Sequence, residues 1–201
     1  MDSSSAARGR PRSEDSRRRI LHAAAQLVVE HGYEQLSLGG VAELAGVGKQ
    51  TLYRWWPSKA SLVADCVLEN AMPLDLIVAT PGEDAVSAIR AWLTESQRRL
   101  AEPEQVALFR GLVTAAASDP SARTKMNERF VRPLVDSLNA ALETTAGTRV
   151  TSPAPRPGIS ATTLAEMLIG AMIFTFLQSE GPDEAWVENL MGIVEPGIVS
   201  R

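Results

Sequence analysis

Between Ser37 and Lys59 the chain is punctuated so closely that it admits few folds. Leu38, Val41, Ala42 and Ala45 recur at intervals of three and four, the spacing of one helical face, with Ser37 in place to cap the helix and Gly46 to end it. A turn follows through Val47 and Gly48. A second short helix runs from about Lys49 to Trp56, and Pro57-Ser58 breaks it, with Ser58 placed to cap a further helix. Two short helices joined by a glycine-containing turn make a helix-turn-helix. Upstream, Ile20, Ala24, Leu27 and Val28 predict a helix that stops at His31-Gly32.

Beyond Pro73 the pattern changes. Leu74 to Gly82 has no helical period, and longer helices are then predicted at about 83–101, 103–117, 120–144, 161–179 and 183–195. Pro103, Pro120 and Pro182 stand at or near first turns, Asp119 and Ser160 are placed as caps, and Gly181 separates the last two helices. Thr145 to Gly158, with three prolines and two glycines, reads as a loop. No strand alternation or heptad run appears. The expected fold is all-α with about nine helices: a basic arm at 1–15, a helix-turn-helix domain at 16–72 that includes a linking helix, and a helical domain at 73–201.

The net charge of -4 conceals an asymmetry. Residues 1–65 hold nine Lys and Arg against seven Asp and Glu, while the remainder holds eleven against seventeen. Six arginines fall between Arg8 and Arg19, so overall acidity does not exclude a local phosphate-binding surface. Met1 to Arg19 lacks the apolar stretch of a signal peptide, and the apolar run Leu164 to Leu177 is interrupted by Glu166 and too short to span a bilayer. A cytoplasmic protein with no membrane partner is expected. Cys66, the single cysteine, falls on the apolar side of its helix and reads as a small core residue. His22 and His31 lack metal-site spacing, and no nucleophile elbow, P-loop or dinucleotide fingerprint is present. Neither an enzyme, a metal nor a cofactor is expected.

The segment Ala45-Gly46-Val47-Gly48-Lys49-Gln50-Thr51-Leu52-Tyr53-Arg54-Trp55-Trp56-Pro57-Ser58-Lys59 resembles the TetR family signature, the specific match covering Ser37 to about Leu62. A short helix can present its N-terminal turn to the major groove while its neighbour crosses the backbone. The resemblance implies that Lys49, Gln50 and Tyr53 contact base edges and that Thr51, Trp55 and Lys59 hold phosphates. Arg54 fits either role. Trp55 either reaches the sugar-phosphate edge or lies on the surface. Leu52 and Trp56 are expected in the core, and Ser37 stands at the DNA-facing start of its helix. Gly39-Gly40 replaces the polar pair that often opens this helix in the family, which leaves backbone amides as the phosphate contact there. Gly48 stands where the family often has a serine cap. Arg8-Gly9-Arg10-Pro11 matches the core of an AT-hook, whose extended arginines enter a narrow minor groove. A disordered basic tail is the alternative.

In TetR-like proteins the middle helices of the second domain enclose an effector pocket. That places Trp92, Phe109, Met126 and Phe130 either in its wall or in ordinary core, and Arg110 either against a polar group of the ligand or on the surface. The resemblance also implies that the last two helices form a four-helix dimer interface through Leu164, Leu168, Gly170, Met172, Phe176, Trp186, Leu190 and Ile193. The implied function is a ligand-inducible repressor, a homodimer that binds a pseudo-palindromic double-stranded operator and is released by a small apolar or aromatic effector. Two rivals are an architectural protein of A/T-rich DNA without an effector and a helical small-molecule-binding protein with no DNA role.

Overall fold

The structure is a computed structural model that describes residues 10–70, 85–147, 161–178 and 183–198. These form α1 (Arg10–Gln35), α2 (Leu38–Leu44), α3 (Lys49–Trp55), α4 (Lys59–Asn70), α5 (Ala85–Leu100), α6 (Pro103–Ser118), α7 (Pro120–Met126), a π-helical turn (Asn127–Val131), α8 (Arg132–Gly147), α9 (Ala161–Leu177) and α10 (Trp186–Ile198). Because α7, the π turn and α8 run without a break, the described residues hold nine helices and no strand. The all-α expectation is met. The linker 74–82, the cap Ser160 and the prolines and glycines after Gly147 lie outside the described residues.

Two compact units emerge. The first joins the described residues up to Asn70 with Ala107–Met126, and the second holds the described part of 73–106 and the residues from Asn127 onward. The first has a core of Ile20, Ala24 and Val28 from α1, Val41 and Leu52 from the two short helices, Leu62, Val63, Cys66 and Val67 from α4, and Leu112 and Ala122 from α6 and α7. At Gly111 α6 passes so close to α1 that an added Cβ would stand 3.0 Å from Val28 Cγ1. The second unit buries Ile89, Trp92 and Leu93 of α5 with Phe130 and Leu134, the α9 residues Ala165, Leu168, Ile169 and Met172, and Val187, Met191 and Val194 of α10.

Two sequence expectations are corrected. Helix α1 begins at Arg10, ahead of the apolar period, so Arg10 and Pro11 stand in a helical first turn rather than in an extended arm. Proline suits that turn, where its missing N–H has no intrahelical acceptor. Arg8 lies outside the described residues. The second correction concerns the face offered to a partner. Leu168 and Met172 are each 3% exposed inside one chain, whereas Met167, Phe174 and Leu177 are at least half exposed. Gly170 shares that open face, and Ile193 of α10 is exposed as well. Leu164, Trp186 and Leu190 are half-buried, and the side chain of Phe176 lies outside the described residues. Helix α9 is apolar around most of its circumference, so periodicity alone does not single out its buried face.

The stop at His31-Gly32 is present as a break within α1. Gly32 has φ 77° and ψ 167°, and an added Cβ would meet nothing within 4 Å. The cost of a side chain there is therefore one of backbone conformation alone. Gly32→Ala is expected to lower unfolding stability by about 1–3 kcal/mol, read from the urea midpoint, and a midpoint equal to wild type would contradict this.

Candidate nucleic-acid interface

Ser37 caps α2, its Oγ accepting the Gly40 amide at 3.1 Å. At the other end, the Gly46 amide donates to Glu43 O at 3.1 Å and the Val47 amide to Ala42 O at 3.0 Å, with Gly46 at φ 63°. This is a Schellman stop, whose left-handed residue glycine supplies without strain. Arg19 secures the same corner by donating from Nη1 to Ala45 O at 3.1 Å. Helix α3 follows at once, with Gly48 as an N-cap that offers no side-chain bond.

Leu52 faces inward and is fully buried, so α3 presents Lys49, Gln50, Tyr53 and Arg54 outward, with Tyr53 52% exposed. Thr51 and Trp55 are half-buried. No acidic residue interrupts α3. The Lys49 side chain lies near the start of α2, where a Cβ on Gly39 would come within 3.6 Å of its Cε and Nζ. That is ordinary contact, so the cation stands beside the turn where a backbone phosphate contact is expected. The Gly40 amide already serves the Ser37 cap.

Trp56, 2% exposed, ends α3 and anchors it. Its Nε1 donates to Asp65 Oδ2 at 2.8 Å, and Lys125 Nζ donates to the same oxygen at 2.8 Å and to Ser61 Oγ at 2.9 Å. The Arg17 guanidinium, itself paired with Glu69, sits 5.8 Å from the Trp56 ring centroid, and Trp55 meets Trp56 edge-on at 5.6 Å. Arg54 lies 5.8 Å from the Trp55 ring. A second tie fixes the turn after α3. Ser58 caps α4 through the Ser61 amide at 3.1 Å and donates its hydroxyl to Asp119 Oδ2 at 2.9 Å. Asp119 also caps α7, accepting from the amides of Ser121 at 2.8 Å and Ala122 at 3.2 Å.

Lys59, expected at a phosphate, also makes contacts within the chain. Its Nζ donates to the carbonyls of Tyr33 and Glu34 at 3.2 Å each and lies 4.5 Å from the Tyr33 ring centroid. The two carbonyls use two of the three ammonium donors. The basic N-terminal run is partly engaged too: Arg17 pairs with Glu69, while Arg18 and Arg19 lie 3.6 and 3.5 Å from Asp15. Arg19, Asp119 and Lys125 were missed as site residues because their partners lie 26 to 64 residues away in the chain. Only the cap position of Asp119 was visible in the sequence.

The five effector candidates divide between the two units. Phe109, Arg110 and Met126 belong to the first, where Phe109 and Met126 are buried and Arg110 is half-buried. Trp92 and Phe130 are buried in the second. Burial pushes the Cys66 thiol up to about 12, with Glu69 and Asp65 adding to the rise, which keeps it protonated and unreactive.

Two family models match the chain: that of bacterial regulatory proteins of the tetR family over residues 20–66, and the tetracyclin repressor-like C-terminal domain over residues 82–194. The uncharacterized HTH-type transcriptional regulator YdeS of Bacillus subtilis is 30% identical over 128 residues, 63% of this chain and 62% of its own length. The chain thus spans about three fifths of that relative. Salmonella enterica GusR superposes with a TM-score of 0.71 at 18% identity, covering 91% of this chain and 95% of its own. The TetR family transcription regulator SCO0332 does so with 0.64 at 26%, covering 92% and 100%.

The Ser58 hydroxyl, followed by the Ala122 amide, holds the Asp119 carboxyl below the ordinary aspartate range. Asp119→Ala is expected to cost about 0.5–2 kcal/mol at neutral pH through the lost cap. A depressed folded pKa means that this stabilisation is complete above the ordinary value of about 3.9 and is lost as pH falls through the lower folded value. The gap between wild type and variant in urea unfolding therefore narrows below about pH 4. A gap that stays constant into acid would contradict the clamp.

Proposed function

The chain belongs to the TetR family of bacterial regulatory proteins, and from that premise we propose that it is a cytoplasmic homodimeric repressor that holds a pseudo-palindromic operator through α3 and releases it when a small molecule binds. The observation that carries this reading is the outward face of α3, where Lys49, Gln50, Tyr53 and Arg54 are exposed while Leu52 and Trp56 are buried on the opposite side. Lysine matches the guanine acceptors and glutamine the adenine edge, so Lys49, Gln50 and Tyr53 read bases. Thr51 and Trp55 take phosphates at the rim, Arg54 either, and Ser37 orients the start of α2 against the backbone.

Two such helices reach successive major grooves only if two copies are joined at a fixed separation. The open face of α9, with Met167, Gly170, Phe174 and Leu177, and Ile193 of α10 suit a second copy, because isolated apolar side chains are common on surfaces but a row along one helix face is not. Gly170 and Gly192 leave open space where another helix can approach. Among the effector candidates, Trp92 and Phe130 are buried in one unit and Phe109 and Met126 in the other. The effector acts by population shift, favouring conformers whose two α3 helices no longer match the operator spacing. No helix among the described residues is long and apolar enough to cross a membrane.

Operator titration with base-substituted duplexes tests the DNA assignment. Lys49→Ala or Gln50→Ala is expected to cost about 1–3 kcal/mol at defined base pairs and to relax discrimination there, with a smaller change on non-specific DNA. Equal losses on all duplexes would move both residues to the phosphates. The dimer face is tested by Phe174→Glu, which buries a charge without a partner. Sedimentation is expected to show monomers and operator affinity to fall; an intact dimer would exclude this face.

A further inference from the structure

Helix α3 is fastened at its two ends by different means. Its N-terminal end follows directly on the Gly46 stop, a backbone device that Arg19 secures at Ala45 O. Its C-terminal end depends on side chains. The Trp56 amide closes the last turn on Leu52 O at 2.9 Å, and the indole Nε1 donates to Asp65 Oδ2 at 2.8 Å. Lys125 shares that oxygen: its Nζ lies 2.8 Å from Asp65 Oδ2, 2.9 Å from Ser61 Oγ and 3.4 Å from Ser61 O. An ammonium carries three donors, and three acceptors surround this one. The side chains of Lys125 and Asp65 are 27% and 14% exposed and Ser61 is buried, so solvent screens this ion pair less than it screens a surface pair. All of these residues belong to the first unit, although 60 residues separate Lys125 from Asp65.

Neither member of the pair is suited to hold a phosphate, since the ammonium is occupied on α4 and Asp65 is itself an anion. Their route to DNA leads through Trp56. The Trp56 ring meets Trp55 edge-on at 5.6 Å, and the Arg54 guanidinium lies 5.8 Å from the Trp55 ring. Tyr53 and Arg54 stand exposed on this last turn, whereas Lys49 opens the helix. Base readout needs its side chains held within about 0.5 Å of the productive geometry, and the residues behind them supply that precision. We propose that Lys125 and Asp65 are positioning residues for DNA recognition: they set the direction of the C-terminal half of α3, and with it discrimination at the base pairs that Tyr53 and Arg54 reach. Lys49, at the end fixed by the backbone turn, is independent of them. The inference rests on the DNA-binding reading above and deepens it with two residues that act on DNA only through others.

The test uses the full-length protein and the duplex that it selects from a random pool. Lys125→Met removes the ammonium, Asp65→Asn removes the carboxylate charge, and the double variant leaves no unpaired charge to oppose folding. Tyr53→Ala and Lys49→Ala mark which operator positions belong to which end of α3. Both single variants and the double are expected to bind the operator about fivefold or more weakly, losing discrimination at the Tyr53 positions and keeping it at the Lys49 positions. The double variant is expected to lose no more than either single one, because both act at one contact. Gly32→Ala, which lowers stability through the backbone of α1, is expected to keep discrimination at both sets. A loss spread evenly over all positions would assign Lys125 to general charge or general stability and overturn the proposal. Additive losses, or unchanged discrimination at the Tyr53 positions, would overturn it as well. A wild-type protein that selects no duplex from the pool would instead refute the DNA-binding reading, so the two failures are distinct.

Discussion

The burial of Trp56 is the constraint on which the DNA-binding unit depends. A helix of seven residues cannot hold its conformation in water by backbone hydrogen bonds alone. Helix α3 is held because its last turn leads into an indole that is 2% exposed and whose one donor is satisfied by Asp65. That carboxylate also receives Lys125, so the end of the recognition helix, α4 and α7 meet at one oxygen atom. Ser58 and Asp119 add a second tie immediately after the proline that stops α3. The outcome is a recognition helix whose inner face is fixed and whose outer face is left for a ligand as large as a duplex.

The same unit shows how formal charge overstates the cations available to DNA. Arg17 neutralises Glu69 and lies by the Trp56 ring, Arg19 closes the carbonyl end of α2, and Lys59 closes the end of α1 over Tyr33. These are charge-assisted bonds at helix C-termini or ion pairs, and each steadies the frame. Among the described residues, Lys49 and Arg54 of α3 keep exposed side chains on its outer face.

In the second unit the decisive feature is a mismatch between apolar supply and polar satisfaction. Helix α9 has more apolar surface than one chain buries, which leaves Met167, Phe174 and Leu177 outside. Helix α5, by contrast, buries an indole and a hydroxyl without giving them partners. The first imbalance is the one that a second copy of the chain would relieve in the proposed dimer.

The sequence by itself determined the helix-turn-helix, because its signals are local: a serine cap, a glycine at positive φ, a proline break and an apolar residue every third or fourth position. The same signals located every long helix, the cap at Asp119 and the outward set Lys49, Gln50, Tyr53 and Arg54. Tertiary structure alone decided which side of α9 is buried, since a helix apolar nearly all round carries no period to read. It also decided that Lys59 and Arg19 serve carbonyls, that Lys125 and Asp119 steady a helix about 60 residues away, and that Phe109 and Trp92 belong to different units. Those outcomes depend on which side chains meet across the core, a matter of packing between distant segments that no local pattern encodes.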